Sequence, residues 1–536
     1  MLAFMQSWGF KSELSVNNLI FNVFILIILS GCDAVGPEFV QPDAPVSQQW
    51  LEGDDPKISA TQAEFSEWWT IFNDPVLNTL VENAYQQNLP LQIAGIRILE
   101  ARAQLGIAVG NAYPQLQQAR GGISHIELSE NQSNFSPALD TSFRDVNVGF
   151  DMGWELDLWG RFRRGIEAAD ADLLASIADY DDVLVSLTAN VATAYTLIRT
   201  FEERLAIARA NVEIQEESLE IAETRFSGGL TTELDVQQAR TLLLNTRATI
   251  PALEIGLQQS KHALSTLLGM PPGDLEDALG SLGVIPTAPA AVAIGIPAEL
   301  LRRRPDIRRA ELQAAAQSAR IGIAEGDLYP HFSLVGSIGL RASDTFETDL
   351  GDLFQLNSIE AFGGPSLTWD VFNYGRIKNN VRVQDARLQQ LIVNYQNTVL
   401  EASREVEDAL VAFLRAQEQV GFLAESVDAA NRSVDLAILQ YSNGIADYQR
   451  VLDTQEALVN QQDLLTSRRG DIATNLIAMF RALGGGWEIR AGKALVPEKT
   501  KETMRNRSDW GQLLKPATPD TNESDENKGL FRRPDW

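Results

Sequence analysis

Cysteine and histidine, the side chains best suited to covalent and metal chemistry at neutral pH, are scarce in this 536-residue sequence, and their spacing gives them little to work with. Cys32 is the only cysteine, so a disulfide within the chain is excluded and a thiolate metal cluster lacks ligands. His125, His262 and His331 are the only histidines; they show no ligand spacing and read as surface or interface residues. There is no Walker-type loop and no G-x-S-x-G elbow, and Gly484–Gly486 reads as a helix stop rather than a phosphate cradle. A protein that is not an enzyme, with no metal and no cofactor, is the expectation. What remains are charged residues beside two glycine-bearing turns: Asp235 after Gly228-Gly229, and Asp447, Arg450 and Asp453 after Asn443-Gly444.

The elements that position them are duplicated. Trp154 recurs as Trp369, Gly160-Arg161 as Gly375-Arg376, Gly229 as Gly444 and Leu268-Gly269 as Leu483-Gly484, always 215 residues on. A constant offset over more than a hundred residues means two structural copies of equal length. Each copy opens with strands. Val146, Val148, Phe150, Met152, Trp154, Leu156 and Leu158 alternate with Asn147, Gly149, Asp151, Gly153, Glu155 and Asp157, one face apolar and the other polar. Their partner strand, roughly 115–128, carries a weaker pattern. In the second copy Phe332, Leu334, Ile338 and Leu340 alternate with polar residues or glycine, and Leu367, Trp369 and Val371 repeat the pattern.

Rods follow. Ile177 to Val212 and Ile392 to Tyr441 each keep an apolar step of three and four with no Pro breaker, which predicts coiled-coil helices with left-handed supercoiling. About sixty residues at 1.5 Å each give a rod of roughly 90 Å. Each rod turns at one of the glycine-bearing tips, where Gly or Asn supplies the left-handed cap. Return helices then run over about 232–268 and 447–483, with a kink or break expected at Pro251. The division of the chain is read as 1–31 signal peptide, 32–75 extended segment, 76–280 first repeat (strands 115–158, helical hairpin 161–268), 281–486 second repeat (strands 331–373, hairpin 376–483), and 487–536 a polar tail, disordered or draped on the outside.

Composition narrows the setting. A net charge of −28 argues against a nucleic-acid surface. Leu19–Leu29 is an apolar run of signal-peptide length, too short for a comfortable membrane span, and no later segment offers eighteen unbroken apolar residues. A crossing by the mature chain must therefore use β-strands. Four strands cannot close a barrel, and an open sheet edge in lipid leaves backbone groups unpaired, so the strands must be pooled with those of other copies. The alternation alone is equally compatible with a soluble hairpin wetted on one face; the N-terminal run and the rods favour the barrel.

Two resemblances carry the reading further. Leu29-Ser30-Gly31-Cys32 resembles the lipobox of bacterial lipoproteins, which implies cleavage before Cys32 and a covalent lipid on its thiol. Asp33 is a residue that favours inner-membrane retention in enteric bacteria, so the anchor by itself leaves the choice of membrane open. Pro297 to Ile307, reading PAELLRRRPDI, with Ala310-Glu311 and Ala482-Leu483-Gly484-Gly485-Gly486-Trp487, resembles the TolC family of outer-membrane efflux ducts, in its lipoprotein branch typified by OprM. The likeness spans about residues 32–487. It implies a mainly α fold with a membrane β part: a homotrimer whose twelve-stranded barrel lies in the outer membrane and whose coiled-coil hairpins form a periplasmic α-barrel. It also implies docking to a periplasmic adaptor protein and an inner-membrane, proton-driven efflux transporter.

Within that resemblance, Asp453 matches a ring of acids at the constriction, where three carboxylates repel one another, attract cations and help to gate. Arg450 stands where relatives place an Asp, so a double acidic ring is not carried over; the arginine is expected to pair with a neighbouring acid. Asp447 belongs to the same stretch. Asp235, at the equivalent position to Arg450 in the first copy, has two readings: a gate residue, or half of a Thr232-x-x-Asp235 capping box. Gly228, Gly229, Asn443 and Gly444 are the expected adaptor contacts. The basic run Arg302–Arg309 reads as structural ion pairing. The function expected is the exit duct of a tripartite efflux pump for drugs or other small toxic molecules. A duct for type I protein secretion and a non-conducting coiled-coil scaffold lipoprotein are the alternatives.

Overall fold

A computed structural model describes residues 34–59, 65–133, 135–138, 140–273, 275–280, 283–295, 301–345 and 348–515. Cys32, the apolar run before it and the last part of the tail lie outside the described residues. Helix α1 (Pro75–Gln87) and helix α2 (Leu89–Gly110) are separated by Asn88, which ends the first and, through its side chain on the Leu91 amide at 2.9 Å, caps the second. Strands β1 (Leu116–Glu127) and β2 (Ser142–Leu156) lead into helix α3 (Arg161–Ser227) and its return, α4 (Glu233–Leu267). After α5 (Pro305–Gly326) the pattern recurs as β3 (His331–Ser343), β4 (Ile359–Thr368), α6 (Arg376–Ser442) and α7 (Tyr448–Ala482), and α8 (Glu498–Arg507) follows. The two rods have 67 residues each, about 100 Å of helix. Helix α4 continues through Pro251 without a break.

The strands form one antiparallel sheet in the order β1-β2-β3-β4, so β1 and β4 are its outer strands. Register brings the apolar series of both copies onto a single face: Trp154 opposite Leu334, Phe150 opposite Ile338, Val148 opposite Leu340. The other face is charged, with Arg341 donating to Asp145 at 2.8 Å and Arg120 paired with Asp151 at 3.3 Å. Because the side-chain period is two, a one-residue slip would exchange these faces. Strand β4 differs from expectation. It begins at Ile359 and ends at Thr368, leaving Trp369 and Val371 beyond it. The Trp369 indole donates instead to the Leu328 carbonyl, and a three-residue alternation is too short to mark a strand end.

The main core lies where the upper rods meet the short helices. Tyr180, Leu184, Val191 and Ile198 of α3, Phe413 of α6 and Phe480 of α7 are buried there. The segment before α1, expected as an extended tether, contributes Trp50, Phe65, Trp68, Trp69 and Phe72 to this core. Trp68 stacks on Phe480 at 5.3 Å, and Ile58–Ser59 pairs with Val292–Ala293. Large aromatic side chains make that segment a strap, since they bury far more apolar area than a tether needs. The described part of the tail is likewise packed. Val496, Met504 and Leu514 cover Leu99 of α2.

The basic run forms ion pairs as read. Arg304 binds Asp306 at 2.7 and 3.0 Å, Glu405 at 2.9 Å and the Ala482 carbonyl that ends α7. Arg309 reaches Asp179 and Asp182.

Candidate gate at the helical tips

Both rods end in the same backbone motif. Gly229 and Gly444 take left-handed conformations, φ +75° and +70°. The next amides, of Leu230 and Ile445, reach back to the Arg225 and Gln440 carbonyls at 2.8 and 2.9 Å, the bonding of a Schellman cap. Gly228, Gly229, Asn443 and Gly444 are exposed at the two tips. Turn chemistry accounts for the glycines, and exposure leaves all four open to a partner.

The two tips are tied to each other. Asp235 Oδ2 accepts from the Tyr441 hydroxyl at 3.2 Å and also from the Thr231 hydroxyl. Thr232 makes no side-chain capping bond, so the capping box expected around Asp235 is not formed. The carboxylate bonds across the repeats instead. Tyr441 is 3 % exposed and packs edge-on against Tyr448 at 5.2 Å. Around this pair Ala222, Val236, Ala239, Ala437 and Val451 make a small core drawn from both hairpins. Burial holds the Tyr441 hydroxyl above the usual tyrosine range, with the Asp235 charge adding to it; burial likewise pushes Tyr448 up to about 12. Both phenols therefore stay protonated and able to donate at physiological pH.

Arg225 braces the same point from the first rod. Its guanidinium lies 4.8 Å from the Tyr441 ring centroid and donates to the Ser442 carbonyl at 3.1 Å, combining a cation–π contact with a tip-to-tip hydrogen bond. Lower down, Gln238 donates to Gln449 at 3.0 Å, and Gln449 donates to Asp453 at 2.7 Å.

The remaining candidates have other surroundings. Asp447 caps α7, accepting from the Arg450 amide at 3.4 Å. Arg450 and Asp453 are exposed on the first turns of α7. The acid pairing expected for Arg450 does not occur among the described residues of one chain: Asp447 offers its carboxylate to the Arg450 amide, and Asp453 accepts from Gln449. Tyr441, Arg225 and Thr231 join the site through packing alone and carry no motif of their own. One signal was available: the position of Tyr441 is Phe226 in the first copy, and that of Asp235 is Arg450 in the second. The hydroxyl and the carboxylate thus occur once each, in opposite copies.

At the other end of the rods residues 34–38 are fastened. Arg164 is buried and donates to the Val35 carbonyl at 3.1 Å and to Glu38 at 2.7 Å, while the Val35 amide bonds to Trp159 at 3.0 Å. Residues 34–38 are therefore held where the strands pass into the rods. His331 and Arg161 meet Glu155 at the same level, at 2.8 and 3.3 Å.

A family model described as "Outer membrane efflux protein" matches residues 80–270 and 296–485. The toluene efflux pump outer membrane protein TtgI of Pseudomonas putida is 32 % identical over 481 residues, covering 87 % of this chain and 98 % of its own length. A probable outer membrane lipoprotein of Salmonella typhimurium, SilC, is 29 % identical over 467 residues, with 87 % and 98 % covered. Among solved structures, the outer-membrane channel OprN superposes with a TM-score of 0.79 at 31 % identity, over 85 % of this chain and 99 % of that one. With the two repeats, the strand sheet and the tied tips, these matches show that the chain belongs to the outer membrane efflux protein family and is an outer-membrane efflux channel.

Proposed function

We propose that three copies of this chain form the exit duct of a tripartite efflux pump. The observation that carries this reading is the four-stranded sheet with an apolar face and two outer strands, standing on rods about 100 Å long. One copy cannot satisfy those edges in lipid; three supply twelve strands and a closed barrel, with the charged face lining water. The rods then enclose a periplasmic tunnel whose far end is narrowed by the tips. Asp235 and Tyr441 hold the tips together, Arg225 braces them, and Asp453 and Arg450 present rings of opposite charge to the passage. Asp447 supports that ring by capping its helix.

Gly228, Gly229, Asn443 and Gly444 offer the exposed docking points for a periplasmic adaptor, and through it for a proton-driven inner-membrane transporter. Cys32 carries the lipid anchor, a reading supported by the fastening of residues 34–38 at the strand–rod junction and by the likeness to a lipoprotein. Small toxic organic molecules are the cargo, as the name of the toluene-efflux relative suggests.

The test is conductance in a planar bilayer combined with capture in cells. The purified protein should form ion channels that open further when Asp235 is replaced by Ala. A cysteine at Asn443 should crosslink to an adaptor, identified by mass spectrometry. Silence of both the native and the Asp235→Ala protein would leave only a scaffold, and capture of an ATP-driven exporter would move the function to secretion.

A further inference from the structure

The duplication extends to the hydrogen-bond register of the strands. Leu116 faces Gly153 across β1–β2, and the residues 215 further on, His331 and Thr368, face each other across β3–β4. The two hairpins are equivalent pair by pair, and β2–β3 is the junction between one hairpin and the next. A barrel closed from copies of this chain needs one more junction, β4 of one copy against β1 of the next. In repeat terms β4 is another β2, and β1 is another β3. We propose that the subunit seam adopts the register of β2–β3, which places Phe362 directly opposite Ile126 of the partner subunit. Those positions are the pair Asn147 and Arg341, each moved by the 215-residue repeat. This inference rests on the trimeric duct proposed above.

The side chains at those positions fit one another. Phe362 is 65 % exposed and stands on the charged face, since its cross-strand neighbour Ser337 faces Asp151. An exposed aromatic ring there has no apolar neighbour directly across within its own chain. Ile126 stands on the same face of β1, opposite Phe143, so the seam register completes a row of Phe143, Ile126 and Phe362 across two subunits. The lipid face agrees as well. The same shift sets Pro365 against Ile123 of the partner subunit, and Leu367 against Gly121 of the partner subunit, keeping charges out of the apolar band at these positions. A slip of one residue would turn Phe362 away from that row and put the polar and apolar faces out of step.

Cysteine pairs read the register directly, because Cys32 is the only native cysteine. The double variant Phe362→Cys with Ile126→Cys, oxidised in membranes and run denatured without reductant, should give covalent dimers and trimers. Phe362→Cys combined with Ser124→Cys or with Leu128→Cys should crosslink roughly tenfold less, because diagonal pairs lie beyond disulfide reach. Conductance of each reduced variant checks that it has folded. Stronger crosslinking at Ser124 or Leu128 overturns the register while leaving the duct intact. Absence of crosslinks from all three pairs in a conducting protein overturns the seam itself. If the native protein neither trimerises nor conducts, the duct reading fails and this inference with it.

Discussion

Tyr441, near the end of the second rod, donates its hydroxyl to Asp235 in the first turn of the other return helix, at 3.2 Å. The bond joins residues 206 apart in sequence and lies at the end of the molecule farthest from the strands. A hydrogen bond to a charged acceptor contributes about 1.5–3 kcal/mol. Replacing Tyr441 by Phe keeps the ring under Arg225 and removes only this tie. The open-to-closed ratio should rise by at least about tenfold for each tie lost, the factor for the lower end of that range, measured as open probability in single-channel records. A variant that stays as closed as the native protein would show that the tie is structural only.

The exposed charges on α7 should set ion preference. Asp453→Asn should shift the cation-to-anion permeability ratio toward anions, and Arg450→Asp should shift it toward cations. The expected size is on the order of fivefold, corresponding to about 1 kcal/mol of interaction between close charges in a watery passage. Reversal potentials in a salt gradient measure it. Identical potentials for both variants would place these residues outside the conducting path.

Asp306 links stability to pH. Burial by itself would raise its carboxyl, but the hydrogen bonds and charge of Arg304 outweigh that and hold it below the usual carboxylate range. A group depressed on folding contributes its stability above its unfolded pKa, about 3.9, and loses it as pH falls through the lower folded value. Asp306→Asn should therefore melt several degrees below the native protein at pH 7, and the difference should close only in strong acid. Arg304→Met should cost more, about 3–5 kcal/mol, because it strands the largely buried Asp306 carboxylate and takes the donor from the Ala482 carbonyl. Thermal unfolding of the detergent-solubilised protein across pH 2 to 7 checks both.

Cys32→Ser should abolish labelling by radioactive palmitate while leaving the channel folded, because Arg164 and the Trp159 carbonyl hold residues 35–38 without help from a lipid. Retained label would place the acyl group elsewhere. Loss of trimers along with the label would make the anchor part of assembly.

Much of the architecture was legible along the chain because it is periodic. The apolar faces of the strands and the three-four step of the rods depend on which way successive side chains point, and that is set within a few residues. The tips were legible for the same reason, since Gly229 and Gly444 answer a local backbone requirement. The strap before α1 and the packed tail were less so, since single aromatics such as Trp68 and isolated apolar residues such as Met504 show no period.

The sequence by itself determined a duplicated chain of alternating strands and long rods, turned at two glycine-bearing tips. Only the tertiary structure decided what the acids at the tips do. Thr232-x-x-Asp235 is a sound capping pattern read locally, yet Asp235 bonds to Tyr441, while Asp447 takes the capping role in the other hairpin. A carboxylate bonds to whichever donors packing brings within about 3 Å, and which helices lie side by side is settled by burial along their whole length rather than by the few residues around each charge.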